Sequence, residues 1–147
     1  LVYKVSNGGQ LAGAFRAINQ AVLKDDGGGG GTTSGSGSSS GIDHTTMPDI
    51  EKDTTNKVIR LTNTVDLSGK TWKPTALSSG WTFDGAGFII KNLTVSSNET
   101  SIGFISTNNG TIINIVFENA NITNTDNTAK ATNSGVVAGE NKGTIEN

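Results

Sequence analysis

The sequence predicts an all-β fold, a right-handed parallel β-helix (a solenoid of stacked coils) with an N-terminal α-helical cap. Three observations carry that expectation. Residues 102–114, IGFISTNNGTIIN, and 135–147, GVVAGENKGTIEN, superimpose at an offset of 33 without a gap, so Asn108, Gly110, Thr111, Ile112 and Asn114 recur as Asn141, Gly143, Thr144, Ile145 and Asn147. A weaker copy lies 22 residues upstream, where Ile90 and Asn92 precede Leu93 and Val95 as Ile112 and Asn114 precede Ile115 and Phe117. Finally, the units are made of β-branched residues, Gly and Asn in short period-two alternation, with no run long enough for a helix.

A repeat of about 20 to 50 residues marks a unit that cannot bury its own apolar face and must stack on the next. In a stack of strand coils, Ile90, Ile112 and Ile145 are expected one above another in the core, about 4.8 Å apart. Asn92, Asn114 and Asn147 are expected to form a ladder at a turn, their amides bonding from rung to rung. Right-handedness follows from the general preference of parallel crossovers.

Residues 1–26 should hold a strand, LVYKV, and a capping helix over about 8–24. Asn7 is its N-cap with Gln10 three positions on, close to a capping box, and Leu11, Ala14, Phe15, Ile18 and Val22 share one face. Gly13 costs such a helix about 1 kcal/mol relative to Ala, so its stability must come from docking. A solenoid needs this cap to cover its first coil.

Residues 27–56 read as a flexible loop: 27–41 contain only Gly, Ser and Thr, and Pro48 breaks the polar stretch that follows. A phosphate-binding glycine loop would need a strand before it and a Lys and helix after it, which this segment lacks. Residues 57–147 are the coils. Within them Asp84-Gly85 is a tight turn, and Trp72 and Trp81 flank the loop KTWKPTALSSG. Two tryptophans beside a loop can stack on a sugar, so they are the candidate ligand-binding residues, against the alternative that they cover the first coil's core. Residues 118–134 read as a polar excursion on one side of a coil, the kind of insertion that carries recognition in solenoids. Four Asn-x-Thr sequons, at Asn92, Asn98, Asn109 and Asn121, are attributed to the Asn- and Thr-rich composition.

GVVAGENKGTIEN resembles the GLUG motif of bacterial surface proteins. WTFDGAGFIIKNLTV is similar to the segment that precedes those repeats, and VDLSGKTWKP to the entry of the first coil. The resemblance covers roughly residues 57–147, with Ser106 standing where a Gly is usual. It implies a secreted or cell-surface protein of adhesin-like character, or an accessory region of a large protease; it is informative about architecture and says little about activity.

Composition narrows the function classes. The 147 residues suffice for one domain; hydrophobic residues are 33% and aromatics 5%, with 20 Gly, which suits thin turns over a bulky core. The net charge of -2 gives no electrostatic reason to expect nucleic acid or an anionic membrane as partner. No apolar stretch reaches the ~18 residues of a transmembrane segment, and the opening at Leu1 without a leader is expected of a processed or excised chain. With no Cys and a single His, His44, paired-His zinc sites and Cys/His nucleophiles are excluded. The acidic group Asp43, Asp49, Glu51 and Asp53 matches no calcium-loop spacing and reads as a solvated face. The carboxylates of the coil region, Asp66, Asp84, Glu99, Glu118, Asp126, Glu140 and Glu146, recur at no common coil position, which argues against a glycoside hydrolase or lyase site.

The expectation is therefore no enzyme, no cofactor and no metal. The chain should be an extracellular structural or adhesive module that binds a host protein or glycan. The alternatives are a filament subunit associating end to end with its own copies, and an accessory region of a larger secreted protease or carbohydrate-active enzyme.

Overall fold

The computed structural model describes residues 1–24, 46–128 and 132–147, with side chains described to residue 19 in the first stretch. The expected Gly/Ser run, Asp43 and His44 lie outside the described residues. β1 (Val2–Val5) leads into α1 (Gly8–Lys24), and the chain returns as β2 (Asp49–Glu51). A first pass follows with β3 (Val58–Leu61), β4 (Val65–Asp66) and β5 (Thr75–Leu77). A second has β6 (Thr82–Asp84), β7 (Ile89–Lys91), β8 (Thr94–Ser97), β9 (Ser101–Ile102) and β10 (Ile105–Asn108). The third has β11 (Thr111–Ile113), β12 (Val116–Glu118), β13 (Asn121–Asn124), β14 (Asn133–Ser134) and β15 (Ala138–Asn141), and β16 (Thr144–Glu146) comes last. Among the described residues the fold is all-β with one helix.

Every strand of the third pass pairs with its equivalent in the second, and β6, β7 and β10 of the second pair with β3, β4 and β5 of the first. The largest sheet runs β16-β11-β6-β3-β1-β2, and smaller ones run β15-β10-β5, β12-β7-β4, β13-β8 and β14-β9. Every pairing among these is parallel except that of β2 with β1. In the largest sheet Tyr3, Ile59, Phe83, Ile112 and Ile145 share one register position. Ile59, Phe83 and Ile112 are fully buried there, and each such side chain contributes about 1.5–3 kcal/mol by leaving water.

The expected strand and helix at the N-terminus are present, and the helix start is satisfied locally. Asn7 Oδ1 accepts the Gln10 amide at 2.9 Å, and Gln10 Oε1 reaches back to the Ser6 amide at 2.8 Å. That is a capping box displaced by one residue. Leu11, Ala14, Phe15 and Ile18 bury their side chains with Leu67, Trp72 and Leu77 in one core. Phe15 lies edge-on to Trp72 and Phe104 and stacks on Phe83, at centroid distances of 5.9, 5.7 and 5.9 Å. Asn19 Nδ2 donates to Thr75 Oγ1 at 2.7 Å, tying the helix to β5.

Three expectations are corrected. Ile112 and Ile145 pair as expected, but Ile90 does not join them; it pairs with Val65 and Phe117, and Phe83 fills the place assigned to it. The cause is that an apolar-x-Asn pattern occurs at two successive corners of the third pass, Ile112-Ile113-Asn114 and Phe117-Glu118-Asn119, so the offset of 22 matches one corner to the other. Second, the stretch expected as irregular between helix and first coil contains β2, paired with β1. Third, the excursion expected over residues 118–134 is shorter. Residues 121–124 form a ladder strand with Thr94–Ser97, and the extra chain lies between Asn124 and Asn133, nine steps where the preceding pass needs four from Ser97 to Ser101.

Candidate functional site

The corners of the stack carry its polar chemistry. Asn92, Asn114 and Asn119 adopt φ of 56°, 53° and 57°, a left-handed conformation that Asn tolerates better than other residues with a side chain. Asn119 Nδ2 donates to Asn92 Oδ1 at 2.7 Å, and Asn92 Nδ2 donates to Asp66 Oδ1 at 2.9 Å. At the other corner Asn114 Nδ2 donates to Asp84 Oδ1 at 3.1 Å, and the Asn114 amide donates to the carbonyl of Glu146, next to Asn147. Asn92 therefore belongs to a different ladder from Asn114, which corrects the expected single column of Asn92, Asn114 and Asn147.

Each ladder stands on an aspartate, a role that the sequence reasoning missed. A carboxylate only accepts, so it terminates a chain of amides that donate downward. Aligning Asp66 with Asn92 and Asp84 with Asn114 by corner would have revealed it. Hydrogen bonds from Asn92 and from the Ser68 amide hold the Asp66 carboxyl below its ordinary value. Burial alone would raise Asp84, but bonds from Asn114, the Ala86 amide and Arg60 outweigh it and hold that carboxyl low as well. Arg60 Nε meets Asp84 Oδ2 at 3.0 Å.

A third ladder is interior. Asn108 is fully buried, because the register of β10 on β5 slips between Ile105 and Asn108. Its Nδ2 donates to Asn141 Oδ1 at 2.7 Å and to the Thr144 carbonyl at 3.1 Å, while its Oδ1 accepts the Gly110 amide at 3.0 Å. The glycines of the repeat sit where passes touch: a Cβ on Gly143 would lie 2.0 Å from the Gly110 carbonyl oxygen, and one on Gly110 would lie 2.3 Å from that of Trp81. The GTI signature is thus a packing requirement.

The two tryptophans do not form a sugar platform. Trp72 is 3% exposed, its indole N–H donates to the Phe104 carbonyl at 2.8 Å, and its ring stacks on Phe104 at 5.1 Å. Trp81 is half-buried and stacks on Tyr3 at 5.6 Å. Aromatic residues are few here, and the core takes them first.

Exposed polar groups collect where β8 meets β9 and β13 meets β14. These corners lie on one side of the stack because the strands pair. Asn98, Glu99 and Thr100 are exposed there, and above them Asn124 Oδ1 accepts the Asp126 amide while Asp126 accepts from the amide of Thr128, both at 2.8 Å. Of the acidic group noted in the sequence, Asp49 and Glu51 lie on β2. Asp53 accepts from the Asn56 side chain and from the amides of Asn56 and Thr55, bonds that bring its carboxyl down to about 2. Among the described residues no group of three or more His, Cys, Asp or Glu is placed to hold a metal, and no helix is long and apolar enough to cross a membrane.

Compared with protein-family models, curated proteins and solved structures, the chain matches none of them.

Proposed function

We propose that the chain is a non-enzymatic structural and adhesive module of a bacterial secreted or surface protein, a right-handed parallel β-helix that holds loops out toward a host protein or glycan. The observation that carries this reading is the run of parallel registers, in which Ile59, Phe83, Ile112 and Ile145 follow one another at one position while Asp66, Asn92 and Asn119 follow one another at a corner. Successive passes repeated in this way make a stiff object, and stiffness suits display. The GLUG-like motifs lie in the passes concerned.

The added chain between Asn124 and Asn133 supports a recognition role for that corner. It departs from the shorter connection beneath it, it is polar, and the ladder strands on both sides fix its ends. The test is binding of the purified chain to panels of immobilised glycans and extracellular-matrix proteins, beside a variant whose residues 125–128 are replaced by a Gly-Ser run. Saturable binding that the variant loses is expected; the absence of binding across the panels, or binding that survives the replacement, sinks the assignment to this loop.

A further inference from the structure

We infer that β2 is an internal plug, occupying on the edge of β1 the place that β16 of a second copy of this chain would take. The largest sheet is parallel throughout from β16 to β1, and then β2 joins β1 in the reverse direction. Its register puts Tyr3 in the column of Ile59, Phe83, Ile112 and Ile145, and Lys4 in the column of Arg60, Asp84, Ile113 and Glu146. A strand added to β1 in the sense of the stack would therefore set an apolar residue beside Tyr3 and the next residue beside Lys4. Thr144-Ile145-Glu146 has that sequence and supplies an acid for the lysine. Ile145, on β16, is 40% exposed.

β2 makes the same two contacts from the opposite direction. Its sequence is Asp49-Ile50-Glu51; Ile50 pairs with Tyr3, and Glu51 Oε2 lies 2.7 Å from Lys4 Nζ. The resemblance between DIE and TIE is thus matched by shared contacts. The hold is light. β2 has three residues, all exposed, with Ile50 at 52%, and an ion pair open to water contributes little. Since α1 packs against β1 and β5, a second copy would join by adding one strand to one sheet. Strand edges that would otherwise recruit further chains are commonly covered in this way. Self-association at the β1 edge is read without any ligand, so its outcome and that of loop binding are independent.

Sedimentation velocity over a wide concentration range tests it, on the unaltered chain, on Glu51→Lys and on Glu51→Lys combined with Glu146→Lys. The unaltered chain should stay monomeric. Glu51→Lys sets a like charge against Lys4 and frees the β1 edge, so its sedimentation coefficient should rise with concentration, and adding Glu146→Lys should abolish the rise. Should Glu51→Lys fail to fold, Asp49→Lys, opposite Lys4 in the register, replaces it. A folded variant that remains monomeric overturns the inference, as does association that survives Glu146→Lys, or an unaltered chain that associates as strongly as the variant. Unfolding of both variants overturns it too, since β2 would then be an integral strand.

Discussion

Asn119 stands directly over Asn92, its side-chain Nδ2 2.7 Å from Asn92 Oδ1, with both backbones in the left-handed region. Asn92 thus does two separable jobs: it links Asn119 to Asp66, and it accepts a φ that most side chains resist. Replacement by Gly keeps the turn and loses the ladder; replacement by Ala loses both. Asn92→Gly should cost about 1–3 kcal/mol, the net worth of the two hydrogen bonds it removes, and Asn92→Ala should cost about 1–2 kcal/mol more. Urea unfolding of the two variants measures the difference, and equal losses would mean that the backbone conformation carries no weight here.

Gly13 inverts the ordinary rule for helices. Gly to Ala in a helix interior normally stabilises by about 1 kcal/mol, yet a Cβ at Gly13 would come 1.9 Å from the carbonyl oxygen of Thr46. That oxygen belongs to the backbone leading into β2 and cannot swing aside as a side chain could. Gly13→Ala should therefore destabilise by about 1–3 kcal/mol, the usual cost of overpacking. A higher melting temperature for this variant would show that the segment does not approach α1 as described.

Acid should loosen the ladders at their feet. Asp66 and Asp84 are held below their ordinary values by the bonds that they accept, and Asp53 is brought to about 2. A carboxyl whose pKa is lower folded than unfolded stabilises the fold at pH above its unfolded value, about 3.9, and loses that contribution as pH falls through the folded value. The melting temperature should hold steady from pH 7 to about 5 and fall between about 4 and 2. Asp84→Asn, which still accepts from Asn114 but no longer titrates, should flatten part of that fall; an unchanged acid profile would remove Asp84 from the linkage.

The parts of this fold that are legible in the sequence are those governed by contacts that allow one residue type. The repeat at offset 33 stands out because Gly110 and Gly143 sit against backbone, where no Cβ fits, and because Ile112 and Ile145 occupy one interior column. The helix is legible because its face and its Asn7 cap are local. The ladder assignment fails at Ile90 and Asn92, since successive corners ask for the same residues and spacing alone cannot say which corner is which. β2 is hidden because it has three residues and its partner is β1, across the helix and a long connection. The inward turn of Trp72 depends on Phe15 and Phe104, which are distant in sequence, so no pattern near residue 72 announces it.

Trp72 joins the packing of the core to the question of ligand binding. Its ring meets Phe15 and Phe104, and its N–H satisfies the Phe104 carbonyl. Trp72→Ala should destabilise by about 3–5 kcal/mol. Trp72→Phe keeps much of the ring contact but leaves that carbonyl without its donor, at a cost of about 1–3 kcal/mol. With Trp72 sealed in the core, glycans added to the folded chain should leave its share of the fluorescence unchanged, and soluble quenchers should reach Trp81 more readily. Single-tryptophan variants separate the two signals. Efficient quenching of Trp72 in the folded state would place that ring at the surface and return it to the candidate binding residues.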